Sequence, residues 1–275
     1  MKITKKIMEQ ELKSFLSVLF TLPEVEKIQI KNIFISSLDD EENIQKGVDK
    51  CYHDKYSDMD INAYIRIHPD DHNENSSIYM DSLQRIGILK DNIIGIHSVP
   101  KSEAFERELI RILKTNGVRI DLTCFVTCDD SIAAYHWEKQ PLNENEIKSY
   151  NFWFVAINAL GKLMRKDYLI SSHLAHMLVM EGLVIQMQLR DKEYDTNIHR
   201  YGYAENLEYL EVFDKEVFGL ANTEDHTYNY ITQMIYSALV TYEKLMPKLD
   251  KEYRCQLPNF LEIWRSYVDE EYIGI

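Results

Sequence analysis

Residues Tyr56 to Ile67 read YSDMDINAYIRI, and this stretch decides the fold of the first half of the chain. Successive side chains of a strand point to opposite faces, so the pattern predicts one apolar face made of Met59, Ile61, Ala63, Ile65 and Ile67. The other face then carries Asp58 and Asp60 together. Two carboxylates on a rigid strand supply hard oxygen ligands for Mg²⁺, which proteins usually bind together with substrate phosphates. The pattern therefore favours phosphoryl or nucleotidyl transfer.

The composition of the 275-residue chain narrows the choice of partner and compartment. The formal net charge of −14 argues against nucleic acid as a partner and suits a small cationic acceptor, although solubility alone also explains it. Its four cysteines follow no metal-ligand pattern. We therefore expect reduced thiols, as in a cytosolic protein. We find no signal peptide and no apolar run of the roughly 20 residues that a membrane helix needs. We therefore expect a cytoplasmic protein with no membrane contact.

A β-hairpin is predicted around Asn116 and Gly117, because two apolar-rich runs flank them at 105–114 and 118–127. Asn-Gly between such runs is the strongest short-range hairpin signal. On the second strand Asp121 lies on the face opposite to the core. If this strand is a neighbour of the Asp58 strand, a third carboxylate joins the first two. A third carboxylate can help to bind a metal and can deprotonate an attacking hydroxyl.

The character of the sequence changes after Pro141. Before it, we predict helices at 7–20 and 78–89 and strands at 25–37 and 92–99. The segment at 39–55 is predicted to be a loop or a short helix. After it, strand signals almost vanish, and helices are predicted at 143–165, 171–190, 205–218, 224–245 and 258–267. The sequence therefore predicts an α+β domain over residues 1–140 and a helical domain over 141–275.

Three blocks of the sequence resemble the aminoglycoside 6-adenylyltransferase family. They are the Asp58/Asp60 strand, the strand at 119–123 that reads RIDLT, and the helix from NFW at 151–153 to GKLMRKD at 161–167. The resemblance implies a polymerase-β-like nucleotidyltransferase domain with a mixed sheet, followed by a C-terminal helical bundle. It also implies transfer of AMP from Mg²⁺-ATP to a hydroxyl of an aminoglycoside-like small molecule.

The same resemblance implies roles for single residues. By family position Asp58 and Asp60 are metal ligands, and Asp121 is the third acid, which binds metal and acts as the catalytic base. The implied contacts to the triphosphate are Ser36, Ser37, Lys162 and Arg165. Where the family has Gly-Ser and usually Arg at the end of its first strand, this chain has Ser36, Ser37 and Leu38.

Other interpretations of the sequence stay open. The changes at Ser36 and Leu38 favour a non-catalytic relative that binds a nucleotide or a partner, and an enzyme that adenylylates a protein is a third candidate. Lys162, Arg165 and Lys166 could also complement the dipole at a helix end. A metal site of His173, His176 and His199 lacks the carboxylate or cysteine that would complete a zinc signature.

Overall fold

The computed structural model describes residues 3–22, 24–71, 92–99, 107–134, 144–195 and 227–268. The chain divides into two compact units, Met1–Phe154 and Val155–Ile275. The described residues contain six strands and six α-helices, so the predicted α+β class is confirmed. The predicted boundary after residue 140 and the predicted helices at 78–89 and 205–218 lie outside the described residues.

A mixed six-stranded sheet forms the centre of the first unit. Its strands are β1 (Val25–Ile30), β2 (Ile33–Ile35), β3 (Asp58–Ile67), β4 (Ile93–Val99), β5 (Glu108–Lys114) and β6 (Arg119–Cys128). They lie in the order β2-β1-β3-β6-β5-β4, with β3 and β6 parallel and the other neighbours antiparallel. The strand from Asp58 and the hairpin at Gly117 are confirmed, and Gly117 takes the positive φ of 86° that suits glycine in a turn.

The prediction of one strand over 25–37 is wrong, because the segment folds back on itself. Ile30 pairs with Ile33 in an antiparallel hairpin, so Lys31 and Asn32 form a two-residue turn. Their φ angles of 46° and 68° are both positive, as in a type I′ turn. Isoleucine on both sides of the turn favours strand, and the turn contains no glycine that would mark it.

Helix α2 (Glu41–Cys51) packs on the apolar face of the sheet, and α1 (Lys5–Leu19) packs on α2. Gly47 gives α2 its close approach, because a Cβ there would lie 2.9 Å from the Ile30 side chain. The side chains of β3 that face this layer are the predicted ones, and all of them are buried: Met59, Ile61, Ala63, Ile65 and Ile67.

The first turns of helix α3 (Glu144–Met164) pack against β4. Gly95 allows this approach, because a Cβ there would lie 2.6 Å from the backbone nitrogen of Phe154. His97 fixes the same helix, since its Nδ1 lies 2.6 Å from Asn151 Oδ1 and its ring stacks on Phe154. His97 pairs with Arg111, and Arg111 pairs with Asp121, so the first turns of α3, up to Phe154, lie on the sheet face that carries the acids.

The second unit contains the rest of α3 with helices α4 (Tyr168–Tyr194), α5 (Thr227–Leu249) and α6 (Leu257–Tyr267). The predictions at 171–190, 224–245 and 258–267 are thus confirmed as helices. Helix α5 contacts both α4 and α6. The carboxylate of Glu243 accepts hydrogen bonds from the backbone nitrogens of Gln256 and Leu257, which satisfies donors at the start of α6. The bundle implied by the family resemblance stays a prediction.

Within the described part of the chain, one segment, Tyr168–Glu193 of α4, is long and apolar enough to cross a membrane. The expectation that no apolar run is long enough for a membrane helix therefore does not hold for this segment. Length and composition do not separate a membrane span from a helix in the core of a protein. The absence of a membrane partner and the cytoplasmic location stay predictions.

Replacing Gly95 by alanine should destabilise the first unit by about 1–3 kcal/mol, because the added methyl group meets the backbone of α3, which cannot rotate away. Gly182→Ala in α4 is the matched control. There a Cβ would lie 3.5 Å from Thr241 Cγ2, and alanine favours a helix by about 1 kcal/mol. Urea unfolding followed by circular dichroism measures both variants. Equal stability of Gly95→Ala and wild type would contradict the close packing of α3 on β4.

Candidate active site

Three carboxylates lie on one face of the sheet, at the start of two neighbouring parallel strands. Asp60 of β3 pairs directly with Asp121 of β6, and Asp58 pairs with Arg119 in the same register. Directly paired residues share a face, and residues two apart on one strand also share a face. The expectation that Asp121 lies beside the Asp58 and Asp60 face is therefore confirmed as a matter of position. Their roles in binding and catalysis stay predictions.

Asp121 is the most enclosed of the three acids. Its side chain is 18% exposed, and Arg111 Nε donates a hydrogen bond of 3.2 Å to Asp121 Oδ2. Burial raises the pKa of Asp121 from its ordinary value of 3.8 to about 6, and the charges of Asp58 and Asp60 act in the same direction. The Arg111 and Arg119 guanidinium groups oppose this rise. A carboxyl group in this environment changes protonation close to neutral pH, as a catalytic base requires.

Asp58 and Asp60 each face a basic group. Lys31, from the β1–β2 turn, forms an ion pair with Asp60, and the hydrogen bond to this carboxylate is the main reason that the pKa of Lys31 is raised. Arg119 Nη2 lies 3.8 Å from Asp58 Oδ2 and also donates a hydrogen bond to the Tyr56 carbonyl. Each acid of the cluster therefore has a basic neighbour that balances its charge.

The chemistry of the three acids fits Mg²⁺, which prefers carboxylate oxygens. Within the described residues, however, no group of three or more His, Cys, Asp or Glu side chains is placed to hold a metal ion as it stands. Mg²⁺ is commonly held by one or two carboxylates, with substrate phosphates and water as the remaining ligands. Asp58 and Asp60 fit that mode.

Ser36 and Ser37 do not join the acids. They follow β2, whose last residue Ile35 pairs with Ile28, which in turn pairs with Ala63 of β3. Ala63 is about 10 Å beyond Asp60 along the strand, and β2 is about 10 Å away across β1. The serines instead contact the residues that lead into α2. Ser36 Oγ lies 3.2 Å from Asp40 Oδ2, and Ser37 Oγ accepts a hydrogen bond from the Asp39 backbone nitrogen.

The course of α2 agrees with this placement. The helix begins beside the two serines and is about 16 Å long. It ends at Cys51, whose thiol lies against the backbone of Asp60. The helix therefore runs from the end of the sheet that carries the serines to the end that carries the acids. The β1–β2 hairpin moved the serines away from the position that a single strand would have given them.

Lys162 and Arg165 belong to the second unit, at the end of α3. Lys162 Nζ donates a hydrogen bond of 3.2 Å to Asp167 Oδ2. The other oxygen of Asp167 accepts a hydrogen bond from the Ile170 backbone nitrogen at the start of α4. Lys162 thus contacts the group that caps the next helix, and its interaction with the dipole of its own helix stays a prediction. Contacts of Lys162 and Arg165 with a triphosphate stay predictions.

The histidines do not complete a metal site among the described residues. His176 Nδ1 lies 2.8 Å from the Ser172 carbonyl oxygen, a contact within α4. His199 lies outside the described part of the chain.

Sequence reasoning missed Lys31 as a member of the site. The residue is distant from Asp60 along the chain, and the pairing of β1 with β3 brings it level with Asp60. The signal that could have found it is the polar pair Lys31-Asn32 between two isoleucine-rich runs, since asparagine tolerates the left-handed backbone of a tight turn.

The fold and site define this chain as an α+β protein whose mixed sheet carries a cluster of three carboxylates. A comparison with protein families finds no match, and a comparison with curated proteins finds none either. Among solved structures the chain is similar to an aminoglycoside 6-adenyltransferase from Bacillus subtilis, at 13% identity and a TM-score of 0.30. The match covers 94% of this chain and 98% of that chain. A likeness this distant does not establish the family of this chain.

The raised pKa of Asp121 predicts how stability depends on pH. Between about pH 4 and 6 the folded protein binds a proton at Asp121 that the unfolded chain does not, so stability falls as the pH rises through this range. Relative to Asp121→Asn, the wild type should lose about 1 kcal/mol of unfolding free energy between pH 5 and 8.

Denaturant unfolding at the two pH values measures this difference. Asp129→Asn is the control, because hydrogen bonds from Ser131 lower the pKa of Asp129 and keep its titration below pH 5. A difference between wild type and Asp121→Asn that stays constant from pH 5 to 8 would contradict the enclosed position of Asp121.

Proposed function

We propose that this chain is a Mg²⁺-dependent nucleotidyltransferase that transfers AMP from ATP to a hydroxyl group of a small acceptor. The observation that carries the proposal is the direct pairing of Asp60 with Asp121 on parallel strands, with Asp58 on the same face. A structural sheet has no need of three acids at one place, because like charges on neighbouring strands destabilise it. Binding of a divalent cation together with a polyphosphate would explain why three acids lie at this place.

Asp58 and Asp60 are the groups that would hold the metal. Both side chains are partly exposed, at 43% and 39%, so an ion that arrives with the nucleotide can reach them. When bound, Mg²⁺ neutralises part of the triphosphate charge and orients the phosphates for an in-line displacement.

Asp121 is the group that we assign as the base. The acceptor oxygen attacks the α-phosphorus of ATP, and the bond from that phosphorus to the bridging oxygen of the β-phosphate breaks. Pyrophosphate leaves with the electron pair of that bond, and the acceptor proton passes to Asp121. The hydrogen bond from Arg111 Nε holds this carboxylate in one orientation, and its partial burial limits the access of water.

For the acceptor we propose a small hydroxylated cation such as an aminoglycoside. The net charge of −14 supports this class, because an acidic protein attracts a polycation over a distance set by the ionic strength. A protein hydroxyl could receive AMP by the same chemistry, so a panel of acceptors should include both kinds.

A non-catalytic relative is the second candidate function. It is favoured by the pairing of the three acids with Lys31, Arg111 and Arg119, which already balances their charge. A protein of this kind would bind its nucleotide or partner without turnover, so the same assay separates the two candidates.

Asp121→Asn should lower turnover by about 10²-fold or more and leave the affinity for Mg²⁺-ATP nearly unchanged, because a base acts in the transition state. Asp58→Asn should instead weaken Mg²⁺-ATP binding. Mass spectrometry of AMP adducts on the acceptor panel measures turnover, and calorimetry measures binding.

Asp49→Asn on α2 is the control, since it makes the same charge change in a residue that pairs with Lys5 away from the acids. Turnover by Asp121→Asn at the wild-type rate would remove Asp121 from the mechanism. Binding of Mg²⁺-ATP without any adduct in the wild type would favour the non-catalytic candidate.

The affinity for a polycationic acceptor should fall steeply between 50 and 500 mM salt, concentrations at which screening becomes strong (Debye lengths of about 14 and 4 Å). Titration calorimetry with streptomycin at several salt concentrations measures this dependence, and glucose serves as the uncharged control. An affinity independent of salt, or no binding to any aminoglycoside, would remove this acceptor class and leave nucleotide binding untouched.

A further inference from the structure

Lys31 lies at the end of the sheet where the acids are. It follows Ile30, which pairs with Ile61, and this pairing brings Lys31 level with Asp60 on the neighbouring strand. Its ammonium forms an ion pair with Asp60, while 41% of the Lys31 side chain remains exposed. The side chain is therefore held beside the acids by its charge and has solvent on its other side.

The turn itself does not explain a lysine at this position. The φ of 46° places Lys31 in the left-handed region, which a side chain with a Cβ rarely adopts. At the first position of such a turn Asn, Asp and Gly are the favoured residues. An exposed ion pair contributes little to stability, so the pair with Asp60 does not compensate clearly for this strain. Strain that persists without a structural gain is typical of functional sites.

The two other basic groups of the cluster are less able to change partners. Arg119 is 5% exposed, and its guanidinium also binds the Tyr56 carbonyl. Arg111 extends from the middle of β5 and binds Asp121 through Nε. Lys31 differs from both because its backbone is in a turn at the sheet end, and its long side chain reaches the cluster from outside the sheet.

We propose that Lys31 binds the triphosphate of the nucleotide and exchanges Asp60 for a phosphate oxygen when Asp58 and Asp60 take up the metal. This inference rests on the proposed function. An ammonium group is a compact point charge that binds phosphate well. A metal held by Asp58 and Asp60 would neutralise Asp60, so the Lys31 ammonium would be free to bind a phosphate oxygen of the nucleotide. Lys31 then supplies a phosphate contact beside the acids, from which Ser36 and Ser37 lie farther away.

Two variants test the exchange. Lys31→Met removes the charge and keeps the length of the side chain, and Lys31→Asn places a residue that suits the turn, so its fold should be at least as stable. In both variants the affinity for Mn²⁺ alone should rise about two- to fivefold, because a competitor for Asp60 is lost. The affinities for ATP and for inorganic tripolyphosphate, each at saturating Mg²⁺, should fall about tenfold or more.

Calorimetry with the full chain measures all three affinities, and the thermal midpoint of Lys31→Asn confirms that any loss of binding is not unfolding. Lys46→Met is the matched control, because Lys46 also pairs with a carboxylate, Glu42, on the exposed side of α2. It should bind Mn²⁺, ATP and tripolyphosphate as the wild type does.

Opposite changes in metal and triphosphate affinity are the signature of the exchange, and a purely structural lysine would not produce them. If the two Lys31 variants bind Mg²⁺-ATP as tightly as the wild type, Lys31 only shields Asp60 and the inference is overturned. Unchanged Mn²⁺ affinity in both variants would overturn it as well. If the wild type itself binds no Mg²⁺-ATP, the proposed function fails first, and that outcome is distinct from a failure of Lys31 alone.

Discussion

The parallel pairing of β3 with β6 is the constraint on which the rest of the first unit depends. It joins two groups of three antiparallel strands, β2-β1-β3 on one side and β6-β5-β4 on the other, into one sheet. The register runs without interruption from Asp58 opposite Arg119 to Ile67 opposite Cys128. A shift by one residue would turn the buried isoleucines toward solvent, so the apolar core under β3 also holds the acids in place. Core packing and acid geometry are therefore set by the same set of hydrogen bonds.

This arrangement has an electrostatic cost, which the surrounding groups reduce. Asp60 and Asp121 are directly opposite, and burial of Asp121 together with the charges of Asp58 and Asp60 raises the pKa of Asp121. Arg111, Arg119 and Lys31 offset part of the repulsion from different positions. Arg119 is buried beside Asp58, whereas Lys31 approaches from a turn. In the exchange that we propose, a cluster balanced by a lysine that changes partner would accept a divalent ion without becoming highly charged.

The β1–β2 turn changes which residues lie near the three acids. A single strand over 25–37 would have carried Ser36 and Ser37 to the end of the sheet near Asp58, since β1 runs antiparallel to β3. The reversal at Lys31 and Asn32 sends them back along the sheet toward the start of α2. The β1–β3 register places Lys31 level with Asp60, and the reversal after it leaves Lys31 at the end of the sheet. The position of this basic group therefore depends on the pairing of β1 with β3.

Much of the candidate site could be predicted from sequence, because it depends on local periodicity. The alternation in 58–67 determined that Asp58 and Asp60 share a face, and Asn116-Gly117 determined the hairpin that presents Asp121. These are properties of neighbouring residues along the chain. The pairing of Asp60 with Asp121, the ion pair with Lys31 and the distance of Ser36 from the acids were decided only in the tertiary structure. Each depends on which strands become neighbours and in which direction they run. That choice is determined by burial of the whole apolar face of the sheet under α2. The free energy of this burial comes from residues far apart in sequence, so no short segment predicts it.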